Sequence, residues 1–248
     1  MKIRRLGAPL IRALPVGLRE ATEQLAAEVV IRKRHIGGLI KARKYQDLRG
    51  MAMQLGCADK IKKGWLNVDL DPAADLTLDL REPLPFRDSV FKLIYSEHFL
   101  EHCNYPCEIT RLMSECYRVL EPGGIQSLAV PDGEFALQYY TLRHSADPAL
   151  AQLHAEVAEA NRRWDPSWCK TPMDHVNYFM RQNGEHRWIY DEETMRLLLE
   201  TAGFVDIRRR EFDPELDDEA RRFGSMYMQC RKPESHTLQT ALQIKREP

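Results

Sequence analysis

Four short apolar segments occur in a fixed order between residues 55 and 98, and this order constrains the fold more than any other feature. They are 55–58, 66–70, 76–80 and 91–98, and each ends in glycine, an acidic residue or a polar cluster. Buried parallel strands with functional groups at their carboxyl ends have this pattern. Ligands of an open α/β sheet bind outside those ends, so the segments predict a binding cleft at one edge of a sheet. A glycine after the first strand and an acid after the second suit a nucleotide.

Apolar spacing along the rest of the chain predicts further elements around these segments. A helix is expected from Gly17 to Arg34, ended by Gly37-Gly38, with a second short helix reaching Leu48. Other helices are expected over 109–120, ended by Pro122-Gly123-Gly124, between 147 and 163, and from the cap Asp191 to Gly203. The seven predicted strands are 51–55, 66–70, 75–80, 91–96, 125–130, 204–210 and 225–231.

The stretch from Met53 to Val130 resembles the class I S-adenosylmethionine (SAM)-dependent methyltransferases. The resemblance rests on Gly56, Asp69 and Asp79, on the run 83–91 and on the segment 120–124, and it continues more weakly through 202–204. It implies an α/β fold, with a seven-stranded, mostly parallel Rossmann-like sheet and helices on both faces. It also implies an insertion after strand five, whereas an N-terminal helical arm is expected from the residues that precede strand one.

The resemblance implies SAM as cofactor and S-adenosylhomocysteine as product. Asp69 is expected to hold the ribose hydroxyls, with Asp71 as its competitor two residues on. Asp79 is expected to meet the adenine amino group beside the Leu80 amide. The cofactor-binding set is Gly56, Cys57, Ala58, Asp69, Leu70, Asp79, Leu80, Ser96 and Glu97. The family pattern has glycine at position 58, and the methyl group of Ala58 is expected to fit if φ there is negative.

Two histidines are candidates for the catalytic base. His98 follows strand four, and His175 lies in the segment 131–190, which is expected to cover the substrate. The predicted substrate-binding residues are His102, Asp132, Tyr178, His186 and Trp188. Residues 98–102 also fit the H-x-x-E-H pattern of inverted zinc peptidases, but that pattern does not explain the preceding strands, and no metal is predicted.

Charge is unevenly distributed along a chain whose net charge is −1. Residues 1–50 contain twelve Lys or Arg and four acids, so the remaining 198 residues carry a net charge of −9. We therefore expect a basic helical arm at 1–50, a methyltransferase domain at 51–233 and a polar tail at 234–248. The arm is expected to pack on the domain, while a basic arm can also bind nucleic acid or an anionic surface.

The predicted activity is methyl transfer to a small-molecule or sugar-containing acceptor, at an oxygen, in natural-product or glycan biosynthesis. The alternatives are a nucleic-acid or protein methyltransferase that uses the arm, and a non-catalytic SAM-fold binding protein. The chain lacks the Asn-Pro-Pro-Tyr-type signature of base amino-group methylation, which argues against nucleic acid. Scattered cysteines, no secretory signal and no membrane-length apolar run predict a cytoplasmic protein, and a homodimer is left open.

Overall fold

A seven-stranded sheet dominates the computed structural model, which describes residues 14–161 and 163–234. The strands are β1 (Met51–Leu55), β2 (Leu66–Asp69), β3 (Leu76–Thr77), β4 (Phe91–Glu97), β5 (Leu120–Pro131), β6 (Val205–Arg209) and β7 (Ser225–Arg231). Their order is β3-β2-β1-β4-β5-β7-β6, and β1 to β5 are parallel, whereas β7 runs antiparallel between β5 and β6. The predicted mostly parallel α/β sheet is confirmed, and its strand order reverses at β1.

Helices flank this sheet and supply the rest of the core. They are α1 (Val16–Ala42), α2 (Cys107–Val119), α3 (Gly133–Leu142), α4 (Pro148–Asn161), α5 (Pro172–Arg181) and α6 (Glu192–Thr201). Short 3-10 helices lie at Arg43–Tyr45, Leu100–His102, Gln182–Gly184 and Glu219–Arg221. The apolar stripes of α2 and α6 are buried, as their spacing predicted. None of the helices in the described part of the chain is both long and apolar enough to cross a membrane.

The first helix is longer than predicted, because Gly37-Gly38 does not end it. Helix α1 continues to Ala42, and its buried residues are His35, Gly38 and Ala42. A Cβ on Gly38 would lie 2.2 Å from the carbonyl oxygen of Thr77 in β3. Glycine is needed here for close contact between α1 and the sheet edge, and it is tolerated within a helix at a modest cost.

The boundary between α2 and β5 also differs from the prediction. Helix α2 ends at Val119, and β5 begins at Leu120, so Pro122-Gly123-Gly124 lies within the strand. The backbone there pairs with the chain after β7: Gly123 N donates to Lys232 O, and Lys232 N donates to Gly124 O. Strand β3 is shorter than predicted, with two residues.

The insertion after β5 contains α3, α4 and α5, and α4 lies within the predicted range. Helix α5 begins with a capping box, in which the Thr171 hydroxyl accepts from Asp174 N and the Asp174 carboxylate accepts from Thr171 N. The predicted cap of α6 is confirmed, because Asp191 Oδ1 accepts from Thr194 N at 2.8 Å. Most of the predicted polar tail lies outside the described residues.

Candidate functional site

The turn after β1 approaches the loop after β4 very closely. Gly56 has φ +67°, and a Cβ there would lie 2.3 Å from Cγ of the Phe99 ring. Only glycine therefore fits at this position, for both conformational and steric reasons.

Ala58 adopts the left-handed conformation, with φ +44°, so the negative φ that was expected to admit its methyl group is not found. This conformation costs an alanine about 1–2 kcal/mol. It directs Ala58 N toward Asp69, whose Oδ2 accepts the hydrogen bond at 2.9 Å. The turn after β1 is thereby fastened to the end of β2.

Asp69 lies at the carboxyl end of β2 with its carboxylate already oriented by the backbone. Oδ2 accepts from Ala58 N, and Oδ1 accepts from Asp71 N at 2.7 Å. A carboxylate has about four acceptor sites, so two remain for a ligand. Asp71 instead caps its own loop by accepting from Ala73 N at 2.8 Å. Asp69, and not Asp71, lines the cavity described next.

A cavity of about 150 Å³, here called the strand-end cavity, lies beyond the ends of β2 and β3. Apolar side chains form much of its wall, and among its lining residues are the predicted Asp69, Leu70, Asp79 and Leu80, together with Phe99 and His102. An apolar wall with a few convergent polar groups is the usual character of a small-molecule site.

Asp79 is tied to helix α1 by a network that the sequence did not reveal. Arg81 donates to Asp79 Oδ1 and Oδ2 at 2.9 and 2.8 Å, and it also binds the Glu28 carboxylate of α1. Although burial raises the pKa of Asp79, the hydrogen bonds from Arg81 hold it below its ordinary value. The Asp79 backbone N–H donates to His35 Nδ1 at 3.1 Å. Helix α1 therefore supports one wall of this half of the cleft.

Three of the predicted cofactor-binding residues are buried beneath the strand ends. Cys57 is buried, which raises the pKa of its thiol to about 12. Glu97 Oε1 accepts from Asp218 N at 3.0 Å, and burial raises the pKa of this carboxyl. The Ser96 hydroxyl is buried without a hydrogen-bond partner. The structure places none of the three on the wall of the strand-end cavity.

A second cavity, of about 200 Å³, lies under the insertion and is called the histidine cavity here. Its lining includes four histidines, at positions 98, 102, 175 and 186, as well as Glu101 and the predicted Tyr178. His102 lines both cavities, so they meet at this side chain.

Both nitrogens of His98 face protein groups. Nε2 lies 2.7 Å from Ser225 Oγ, and Nδ1 lies 3.5 Å from Glu101 Oε1. The residue has φ +49°, which is uncommon outside glycine. Burial, followed by the positive charge of Arg221, lowers the pKa of His98 to about 3. A ring with this pKa accepts a proton poorly.

His175 lies on α5 and has the geometry of a supported base. Its Nδ1 is 2.7 Å from Asp165 Oδ1, and the residue is buried. An ionised carboxylate only accepts hydrogen bonds, so Nδ1 carries the proton and Nε2 carries the lone pair. Nε2 is buried and has no hydrogen-bond partner. Asp165 was not singled out from the sequence, because no local pattern links it to a histidine ten residues away.

Glu101 is completely buried, and neither of its carboxylate oxygens has a hydrogen-bond partner. Burial raises the pKa of this carboxyl to about 8. Its backbone oxygen accepts from the N–H groups of Arg187 and Trp188, which holds the end of the insertion against it. Burial and the neighbouring His102 lower the pKa of His186 to about 4.

Two predicted substrate-binding residues lie away from the histidine cavity. Asp132 caps α3 by accepting from Glu134 N at 3.0 Å, and it also binds Arg209 at 3.3 Å. The Trp188 ring stacks on Tyr105 with a centroid distance of 4.5 Å. In the structure both residues serve packing or capping, whereas His102, Tyr178 and His186 line the cavity.

Comparison with known proteins bears on this arrangement. Residues 60–128, from the turn after β1 to within β5, match the family model described as a methyltransferase domain. This part of the chain resembles a methyltransferase. The resemblance inferred from the sequence is thus confirmed over these residues. The match begins after Gly56 and Ala58, and the chain's sequence has no match among the curated proteins.

Solved structures with a similar course of the chain include several methyltransferases. A methyltransferase of Haloferax volcanii, in complex with the activator Trm112, is 15% identical, with a TM-score of 0.45, over 84% of this chain and 95% of that chain. A SAM-dependent methyltransferase of Methanosarcina mazei is 18% identical, with a TM-score of 0.45, over 78% and 97%. Phosphoethanolamine N-methyltransferase 2 of Haemonchus contortus is 13% identical, with a TM-score of 0.41, over 78% and 52%. At these values the similarities assign no ligand or activity to this chain.

Proposed function

We propose that the chain is a SAM-dependent methyltransferase that transfers a methyl group to an oxygen of a small-molecule or sugar-containing acceptor. The observation that carries the proposal is the meeting of two cavities at His102. One lies at the strand ends beside a close glycine turn and an oriented carboxylate. The other is lined by histidines and aromatic rings, which suits a second ligand.

The strand-end cavity suits the adenosine part of SAM. Asp69 has two free acceptor sites for vicinal ribose hydroxyls, and these sites are fixed in direction by two backbone N–H groups. Leu70 and Leu80 supply apolar contacts for the adenine ring, and Asp79 stands where it can accept from the adenine amino group. Gly56 lets the turn after β1 pack directly against the Phe99 ring, which forms part of the wall of this cavity.

Methyl transfer from a sulfonium is an in-line displacement, and an enzyme contributes mainly by proximity and alignment. A hydroxyl acceptor also benefits from a base that removes its proton. His175 supplies the free Nε2 for this role, and Asp165 orients the ring and stabilises it once protonated, as the acid does in a catalytic triad. We favour His175 over His98, whose two nitrogens already face Ser225 and Glu101.

The insertion completes the acceptor site in this proposal. Tyr178, Phe179 and Trp164 give the histidine cavity an apolar wall that suits a ring-bearing or sugar-containing molecule. We assign the catalytic domain to residues 51–233, the acceptor-covering segment to 131–190 and a supporting arm to 1–50.

Calorimetric titration of the full chain tests the proposal at its first step. SAM and S-adenosylhomocysteine are expected to bind in the micromolar range, about −7 to −8 kcal/mol. Methyl transfer from labelled SAM is then measured with a panel of phenolic, polyol and glycoside acceptors. Absence of heat and of a thermal shift at millimolar SAM overturns the proposal. Binding without transfer to any hydroxyl acceptor favours a non-catalytic SAM-binding protein.

A further inference from the structure

Three side chains that the proposed methyl transfer does not use converge at the boundary between the two cavities. One ligand atom from each of Glu101, His102 and His186 lies within 4.8 Å of the other two. Glu101 Oε1 and His186 Nε2 are 4.0 Å apart, and the His102 and His186 rings meet edge to face at 5.2 Å. Two imidazoles and one carboxylate are a common ligand set for a divalent transition metal.

The Glu101 carboxyl group independently indicates a missing partner. It is fully buried, and neither oxygen has a hydrogen-bond partner in the described structure, although His98 Nδ1 lies 3.5 Å from Oε1. Buried polar atoms in proteins are nearly always paired, so an unpaired carboxyl calls for an explanation. Arg221 lines the same cavity, but it donates to the backbone oxygen of Glu97 and leaves Glu101 unpaired.

In each of the two histidines, Nδ1 lies within hydrogen-bond distance of a backbone carbonyl oxygen. His102 Nδ1 lies 3.1 Å from the backbone oxygen of Glu185, and His186 Nδ1 lies 3.0 Å from that of Phe179. A carbonyl oxygen only accepts, so each Nδ1 carries the proton and each Nε2 keeps its lone pair. Metal-binding histidines characteristically donate their other ring N–H to a carbonyl or carboxylate in this way.

We propose that Glu101, His102 and His186 bind one divalent transition metal ion, with zinc as the reference ion. Bonds of about 2.0–2.2 Å bring ligand atoms closer than they lie here, so binding draws the side chains together by about an ångström. The ligands differ from those of the H-x-x-E-H pattern, which uses both histidines of the motif. Here His98 is replaced by His186, contributed by the end of the insertion.

The position of this site deepens the proposed function, on which this step rests. Three protein ligands leave at least one coordination position, as in catalytic zinc sites. The lining of the histidine cavity includes all three ligands, so that position is available to an acceptor oxygen. A metal-bound hydroxyl would lose its proton more readily, with His175 Nε2 as the acceptor of that proton; its oxygen would then bond to the methyl group as the methyl–sulfur bond breaks and S-adenosylhomocysteine leaves.

Metal binding can be measured without any turnover. The untagged full chain is stripped with a chelator, dialysed with zinc, and its metal content and zinc affinity are determined, with cobalt absorption as a second readout. We expect one zinc per chain, and an affinity at least tenfold lower in Glu101→Gln, His102→Asn and His186→Asn. His144→Asn, at an exposed histidine, and His175→Asn, in the same cavity but outside the site, are expected to bind like wild type. Circular dichroism and a melting curve confirm that each variant is folded.

Several outcomes overturn the proposal. One is wild-type chain that retains less than half an equivalent of every transition metal tested. A second is loss of zinc in His98→Asn together with full retention in His186→Asn, which assigns the metal to the motif pair instead. SAM titration of the same preparations keeps the two hypotheses apart. SAM binding without zinc binding removes only the metal site, and zinc binding without SAM binding removes only the methyltransferase.

Discussion

The two cavities that meet at His102 differ in whether their polar groups are hydrogen-bonded to the protein. In the strand-end cavity Asp69 is held by two backbone N–H groups and Asp79 by Arg81. In the histidine cavity the Glu101 carboxylate and His175 Nε2 are buried with no hydrogen-bond partner. Carboxylates that are hydrogen-bonded to the protein and still have free acceptor sites are held rigidly, so we expect them to bind a ligand without rearranging. Unpaired buried groups carry a cost that a ligand, proton or metal can relieve.

The largest expected effect concerns the histidine cavity, where buried polar groups lack hydrogen-bond partners. His175→Asn is expected to lower kcat by about 10²–10⁴-fold, since it removes the proposed base, while leaving SAM affinity unchanged. Single-turnover methyl transfer and SAM titration measure the two quantities. His98→Asn is the matched variant, because asparagine tolerates positive φ. If His98→Asn costs as much and His175→Asn nothing, the assignment of the base is reversed.

The next effect concerns the support of the strand-end cavity by α1. Gly38→Ala places a methyl group against the Thr77 carbonyl, which is expected to lower the free energy of unfolding by about 1–3 kcal/mol. Gly37→Ala meets no atom within 4 Å and is expected to raise it by up to about 1 kcal/mol through helix propensity. Urea denaturation compares the pair. Equal responses would show that α1 does not depend on close contact with β3.

The cofactor contact is expected to give a smaller change. Asp69→Asn keeps the shape of the side chain but removes the charge that ribose hydroxyls donate to, so SAM binding is expected to weaken about tenfold. Asp71→Asn, two residues away and outside the cavity, serves as the control. Calorimetry measures both. A loss confined to Asp71→Asn would mean that the ribose lies elsewhere along the edge.

The smallest expected effect concerns the turn after β1, where Ala58 has a strained, left-handed backbone conformation. Ala58→Gly relieves a left-handed alanine but makes the unfolded chain more flexible. The net expectation is a gain of about 0.5–1 kcal/mol, or roughly 2 °C in Tm. Differential scanning calorimetry measures the shift. A drop in Tm would show that the methyl group contributes packing that outweighs the strain.

The strand-end cavity could be predicted from the sequence to a greater extent than the histidine cavity. Strand ends follow from local patterns, so the positions of Gly56, Asp69 and Asp79 were accessible without a structure. The partners of Asp79 were not, since Arg81 acts together with Glu28, more than fifty residues earlier. Local helix propensity also predicted that the first helix ends at Gly37-Gly38. The prediction was wrong because propensity carries no information about the contact between Gly38 and β3. In the histidine cavity, no periodicity of the sequence relates Asp165 to His175, or Glu101 to His186, which lies 85 residues later.

Because His102 is part of both cavity walls, ligands in the two cavities would share a side chain, and we expect their binding to be coupled. Thermodynamic linkage then requires reciprocity: whatever factor the first ligand applies to the affinity of the second, the second applies to the first. A ring that turns to suit one ligand presents a different surface to the other. The affinity for each ligand is then expected to depend, through this one imidazole, on whether the other ligand is bound.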